Sequence, residues 1–216
     1  MGQFAVIGLG SFGATVAREL AASKHEVIGI DSEKKYVEEL AQDLTHAVIA
    51  DATDERVLRE LNLEKCDAVI VAIGEDIEAS ILCVLHLTNI GVKKIWVKAK
   101  TKAHHMILSH LQVDKIIHPE EDMGVRVAQA LNYPIVSRYM RLDHDHYIVK
   151  IIIDSKLHGV HALGVTQNTE QIKILLVQRN LTMFYEVQPT FHFEENDILI
   201  LEGPLTELKK LLRRFE

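Results

Sequence analysis

Residues 3–13 read Gln3-Phe4-Ala5-Val6-Ile7-Gly8-Leu9-Gly10-Ser11-Phe12-Gly13. Phe4 to Ile7 is a short apolar run of strand formers. The glycine pattern Gly8-x-Gly10-x-x-Gly13 follows, and Ala14 to Leu20 then has helical periodicity. The order is strand, tight turn, helix N-terminus. Gly8 lets the chain turn off the strand. Gly10 has no Cβ, so a pyrophosphate can approach the backbone. Gly13 lets the helix pack closely. The free N–H groups and positive dipole end of that helix face an anion. The next apolar run, Glu26 to Ile30, ends in Asp31, near the spacing expected of a carboxylate that holds a ribose hydroxyl. Two readings of Asp31 stand at this point: a ribose acceptor, or an N-cap for a helix starting near Glu33.

Working outward, the chain alternates. Helices are predicted over 11–23, 33–43, 55–61, 75–89, 102–111 and 120–131. The strands between them fall at 26–31, 46–50, 67–73, 94–98 and 115–117. Thr53 or Asp54 can cap the third helix. The run from Asp67 to Ile73 is continuously apolar, as a strand buried on both faces should be. Gly91 ends the fourth helix. Six strands alternating with helices predict right-handed βαβ units, hence an α/β, doubly wound parallel sheet. Ligands bind such sheets beyond the carboxyl ends of the strands. Those ends are Gly8, Asp31, Asp51 and the small run Ala72-Ile73-Gly74, which leaves room. Lys98 ends strand five; it either reaches a ligand or is an exposed charge.

After Asn132-Tyr133-Pro134 the pattern changes. Strands are predicted at 136–142, 147–153, 172–177, 183–187 and 197–201. Gly203-Pro204 reads as a break, and an amphipathic helix covers 205–215. The organisation is therefore a Rossmann-like lobe at 1–133 and a small α+β lobe at 134–216, with Pro134 at the seam.

Composition limits the function classes. The 216 residues are 48% hydrophobic and 25% charged, ordinary values for a globular protein. A net charge of −7 disfavours nucleic acid or anionic lipid as the main partner. No apolar run approaches the ~18 residues that span a bilayer, and the N-terminus has no charged n-region. The expectation is a cytoplasmic protein without membrane insertion. The two cysteines, Cys66 and Cys83, have no metal spacing; Cys83 reads as a small buried hydrophobe. Trp96, in an apolar strand, reads as core rather than a cofactor platform. The 12 histidines group as His104-His105, His144-x-His146 and His158-x-x-His161. Adjacent residues on a helix point about 100° apart, so His104 and His105 are poor co-ligands. His144 and His146 read as a solvated turn, since no further ligand is spaced to complete a tetrahedral set. The basic residues Lys209, Lys210, Arg213 and Arg214 read as the solvated face of the last helix.

Six blocks in order carry a family resemblance: Ile7-Gly-Leu-Gly-Ser-Phe-Gly13, the Asp31 site, His46-Ala-Val-Ile-Ala-Asp-Ala-Thr53, Val71-Ala-Ile-Gly74, Ile95-Trp-Val-Lys-Ala99 and Ile117-His-Pro-Glu-Glu-Asp-Met-Gly124. Over residues 3–131 they resemble the RCK (KTN) proteins, cytoplasmic regulators of potassium transport, and most of all the Ktr-type gating subunit. Asp197 to Gly203 resembles the closing strand of the family's second lobe, where members take cyclic di-AMP or other effectors.

The resemblance implies a nucleotide site made of the loop Gly8–Gly13 with Ser11 and Phe12, of Asp31, and of Asp51-Ala52-Thr53 beside the adenine. It implies an adenine nucleotide, ATP/ADP or NAD/NADH, as ligand. It implies homo-oligomeric rings, typically octameric, on a membrane potassium translocating subunit, with the protein held at the inner face of the membrane through that partner. Nucleotide exchange would change ring shape and so the gate. Glu120 would sit near the phosphates of a neighbouring subunit and take a divalent cation. Two departures bear on ligand choice. Ser11 stands where the Ktr pattern has Arg, which removes a forked cation from the phosphates. Glu33 stands where a polar amide is common, which adds negative charge near the ribose and disfavours a 2′-phosphate.

Two functions follow from these readings. One is a non-enzymatic nucleotide-sensing gating subunit. The other is a small NAD-dependent oxidoreductase, which needs a general acid or base beside the nicotinamide; no arrangement of Lys, Tyr or His in 134–216 reads as one.

Overall fold

The computed structural model describes residues 1–132, 136–166 and 171–215. By internal contacts it divides into two compact units, Met1–Glu121 and Asp122–Glu216. The sequence seam at Pro134 lies outside the described residues.

The first unit carries six parallel strands: β1 (Gln3–Ile7), β2 (Glu26–Asp31), β3 (His46–Ile49), β4 (Ala68–Val71), β5 (Ile95–Lys98) and β6 (Lys115–Ile117). Their order is β3-β2-β1-β4-β5-β6, every pairing parallel. The direction of winding reverses between β1 and β4, which opens a crevice at the carboxyl ends of those two strands. The helices are α1 (Ser11–Ala22), α2 (Lys34–Leu40), α3 (Glu55–Glu60), α4 (Ile77–Asn89) and α5 (Lys102–His110), while α6 (Pro119–Asn132) runs across the division between the units.

Alternate strand residues enter two cores. Ile7, Ile28, Val69, Val71 and Val97 face Leu58, Cys83 and Leu87. Val6, Val27 and Ile70 face Ala14, Ala17, Val37 and Leu40. Sequence expectation and structure differ at several edges. The apolar run 67–73 is a strand only over Ala68–Val71; the Ala72 N–H still donates to the Ile7 carbonyl at 2.7 Å, and Gly8 packs against the backbone of Ala72 and Ile73 there. Helix α4 starts at Ile77 rather than Glu75, because the Asp76 carboxylate accepts the Ala79 N–H and fixes the cap. Asp54, not Thr53, caps α3. Trp96 is not core. It is 38% exposed, and the Lys115 ammonium lies 4.5 Å from its ring centroid. It shares a sheet face with Ile70, and α1 and α2 pack on the β1-β2-β3 part of the sheet, so β5 is left open there.

The second unit is an antiparallel sheet of β7 (Val136–Arg141), β8 (His146–Ile152), β9 (Lys173–Arg179), β10 (Thr182–Phe184) and β11 (Ile198–Pro204), ordered β10-β9-β11-β8-β7, with α7 (Ala162–Thr166) and α8 (Leu205–Phe215). Val149, Ile151, Leu199 and Leu201 pack with Leu208, Leu211 and Leu212 of α8. Gly203 and Pro204 do not break the strand. They pair with Tyr147 and His146 and close it, since proline is tolerated at a strand terminus. Asp197, 1% exposed, is held by the Arg179 guanidinium through bonds of 2.9 and 2.8 Å. The predicted turn at His144 and His146 is a solvated one, with Asp143 accepting the Asp145 and His146 N–H groups.

Candidate functional site

The residues singled out in the first unit lie at the carboxyl ends of its strands. Gly8 has φ +90°, and a Cβ there would stand 2.9 Å from the backbone of Ala72 and Ile73. A side chain at that position would meet both backbone strain and a wall. A Cβ on Gly13 would collide with the carbonyl oxygen of Gly8, so only glycine lets α1 sit this close. A Cβ on Gly10 would meet nothing within 4 Å. Gly10 is the N-cap of α1, no side chain caps that helix, and its first turn carries no acidic residue. The result is an uncapped, positively polarised helix start under open space, with the chemistry of an anion cradle. Ser11 is exposed beside it.

Asp31 braces this loop. Its Oδ2 accepts the Leu9 N–H at 2.7 Å, and its Oδ1 accepts the Glu33 N–H at 2.8 Å. Helix α2 starts at Lys34 with Glu33 as N-cap and no side-chain capping bond. The carboxylate therefore ties the glycine loop to the β2–α2 turn. Each of its oxygens keeps a lone pair for a further donor. Glu33 is exposed next to it. Past the end of β3, Asp51 Oδ1 accepts from the N–H and hydroxyl of Thr53, and Ala52 is buried between them.

On the other side of the crevice, a Cβ on Gly74 would lie 3.1 Å from the Lys98 ammonium. The Lys98 side chain is only 14% exposed, so it is not a free strand-end charge. Its Nζ stands 2.5 Å from Glu120 Oε1 and 6.0 Å from the Phe12 ring centroid. That contact holds the Glu120 carboxyl below its usual range. Lys100 pairs with Glu75 at 2.9 Å. The geometry thus joins the loops after β1, β4, β5 and β6 through Gly8–Ala72, Gly74–Lys98, Lys98–Phe12 and Lys98–Glu120. Among the described residues no group of three His, Cys, Asp or Glu side chains converges on a metal position. Glu120 is a single carboxylate with a lysine partner. Cys66 and Cys83 are buried, and burial pushes their thiols up to about 11 and about 12, which disfavours the thiolate form.

One relationship escaped sequence reading. His118, just after β6, lies against His105 of α5 rather than any histidine near it in sequence. The only sequence signal was its place at the same strand ends as the other site residues.

The parallel order, the glycine turn and the braced acid define a Rossmann-like lobe, joined in one chain to an antiparallel second lobe. The TrkA-N domain family matches residues 4–119. Ktr system potassium uptake protein C of Bacillus subtilis is 38% identical over 213 residues, covering 98% of this chain and 96% of that protein. Ktr system potassium uptake protein A of Vibrio alginolyticus is 34% identical over 212 residues, covering 98% and 96%. Among solved structures, the GsuK RCK domain has a TM-score of 0.65 at 16% identity, covering 98% of this chain and 47% of that one. The GsuK channel bound to NAD has a TM-score of 0.63 at 15% identity, covering all of this chain and 39% of that one. These structures establish the shared fold. The chain belongs to the TrkA-N (RCK) family. No helix among its described residues is long and apolar enough to cross a membrane.

Proposed function

We propose that the chain is the nucleotide-sensing, non-enzymatic regulatory subunit of a potassium uptake system. The observation that carries this reading is the open cradle at Gly10 on the uncapped start of α1, braced by Asp31, in a chain that aligns end to end with Ktr potassium uptake proteins. The ligand is an adenine nucleotide, ADP/ATP or NAD/NADH. Its phosphates lie over Ser11, Phe12 and Gly13, its ribose at Asp31 and its adenine beside Asp51, Ala52 and Thr53. Ala72, Ile73 and Gly74 form the opposite wall, and Lys98 supplies the cation nearest the phosphates. Glu120 takes a divalent cation that accompanies ATP. NAD stands in the ligand panel because the GsuK channel bound to NAD shares this fold.

Residues 1–133 form the sensing lobe and 134–216 the assembly or effector lobe. The partners are further copies of the chain, in an octameric ring, and a membrane potassium translocating subunit that keeps the ring at the inner face of the cell membrane. Val125, Val127 and Leu131 of α6, 53%, 51% and 77% exposed, supply apolar area for contacts between copies. Ligand state biases ring shape, and ring shape biases the gate. Mass spectrometry of the small molecule released from the purified oligomer tests the reading. An adenine nucleotide at near one per chain supports it. Sustained NADH consumption on a defined substrate would replace it with the oxidoreductase.

A further inference from the structure

His105 Nδ1 and His118 Nε2 stand 2.8 Å apart, with the two rings inclined at 26° and their centroids separated by 5.0 Å. Both are half-buried. The backbone fixes each of them. His105 lies within α5, whose start is capped by the Thr101 hydroxyl, and its N–H donates to the Thr101 carbonyl. His118 follows β6, which is paired to β5, and precedes Pro119 at the start of α6. Two ring nitrogens aimed at each other can share one hydrogen, with one ring as donor and the other as acceptor. Two imidazole nitrogens held this close are also a donor pair for a metal ion. A tetrahedral zinc–nitrogen distance of about 2.0–2.1 Å requires nitrogens about 3.3 Å apart, so the pair must open by about 0.5 Å and both rings must turn until their lone pairs converge on the ion rather than on each other.

We propose that His105 and His118 form a two-imidazole binding site for a divalent first-row transition cation of the zinc class. Imidazole selects zinc, nickel or copper(II) over magnesium and calcium, which take oxygen ligands. No third protein side chain converges there among the described residues, so water completes the coordination and the site is open. Both rings bind as neutral imidazoles. The shared hydrogen moves to the ring nitrogen that does not face the metal, and no net proton is released. His104 takes no part. It is 1% exposed and points into the fold, with its Nδ1 3.3 Å from the Lys100 N–H. The bound ion would clamp α5 to the β6–α6 junction, two residues from Glu120. A transition cation could in this way stiffen the wall of the crevice that holds Lys98. This site does not depend on the nucleotide reading.

The test uses the full chain, stripped with a chelator and free of nucleotide. Zinc chloride is titrated by calorimetry into wild type, His105→Gln, His118→Gln, His144→Gln and Glu120→Gln, each checked for native circular dichroism. Wild type should bind zinc at one tightest site. His105→Gln and His118→Gln should each weaken that site by at least about ten-fold, the loss that even a supporting partner causes. His144→Gln and Glu120→Gln should retain it, and magnesium should not compete. Zinc K-edge absorption should show two imidazole nitrogens in wild type and one in His105→Gln, which reads the site directly even if His118→Gln folds poorly. Unchanged affinity in both histidine variants, loss in Glu120→Gln instead, or a shell of oxygens alone would overturn the proposal.

Discussion

Lys98 Nζ stands 2.5 Å from Glu120 Oε1, which joins the end of β5 to the first turn of α6. The lysine is largely buried and the carboxylate is 69% exposed, so the pair is asymmetric. The lysine has the most to lose if its partner goes, because a desolvated cation without a counter-charge is costly. An incoming phosphate can take the place of that partner. Without a divalent cation, Glu120→Gln should therefore tighten ATP binding, by releasing Lys98. With magnesium present, wild type should bind ATP more tightly relative to ADP than it does without, and Glu120→Gln should erase that gain. Calorimetry with both nucleotides, with and without magnesium, measures all of these. Identical magnesium dependence in the two proteins would remove Glu120 from the cation site.

Asp31 has a double load. Its carboxylate accepts the Leu9 and Glu33 N–H groups and has capacity left for a ribose. Asp31→Ala should remove a charge-assisted contact of ~1.5–3 kcal/mol from nucleotide binding, a roughly ten- to hundred-fold loss of affinity. It should also lower thermal stability, because two backbone donors lose their acceptor. Asp31→Asn, which keeps one carbonyl acceptor, should be intermediate in both. NADP should bind wild type far more weakly than NAD, since Asp31 and the exposed Glu33 repel a 2′-phosphate. A melting temperature that drops while affinity holds would make Asp31 a loop brace only.

The buried thiols give a pH dependence with a definite sign. Burial pushes Cys66 up to about 11 and Cys83 up to about 12, from an ordinary 9.0. Between 9.0 and those values the folded state holds protons that the unfolded state has lost. Stability is then fully present below pH 9.0 and is lost as pH rises towards 11 and 12. The Cys66→Ala, Cys83→Ala double variant should lose less stability over that range than wild type does. At pH 8 both thiols should resist iodoacetamide in the native chain and react after unfolding. Intact-mass analysis reads the alkylation, and rapid native labelling of either cysteine would contradict its placement.

The parallel sheet was legible because buried strands and glycine turns write themselves locally. Gly8 and Gly13 each need a geometry no other residue supplies, and Val69 and Val71 sit in an unbroken apolar run. What local pattern could not give was the environment of long side chains. Trp96 looks like core by residue type, and only the extent of helix cover on its sheet face leaves it exposed under Lys115. By its place at a strand end, Lys98 reads as either a ligand contact or an exposed charge. Its burial depends on Phe12, Gly74 and Glu120, which come from three other loops. His105 and His118 meet across α5 and β6, so a search for neighbouring histidines in sequence finds His104 instead. Gly203-Pro204 read as a break because both residues disrupt strand interiors; at a strand's last two positions neither does.

The glycine loop yields the sharpest separation of folding from binding. Gly13 and Gly10 lie three residues apart in one turn and face opposite demands. A methyl at Gly13 meets the Gly8 carbonyl, which is backbone and cannot swing aside. Gly13→Ala should therefore destabilise the lobe by ~1–3 kcal/mol or more, the usual cost of overpacking, and it should lose nucleotide binding only as a consequence. A methyl at Gly10 meets open space, and the φ of −61° there suits any residue. Gly10→Ala should fold with stability within about 0.5 kcal/mol of wild type. It should nonetheless bind nucleotide poorly, because its methyl occupies the path of the phosphates. Thermal melts and calorimetry on the two variants give the answer together. If Gly10→Ala binds adenine nucleotides as tightly as wild type, the phosphates do not cross Gly10, and the cradle at the start of α1 is not the nucleotide site.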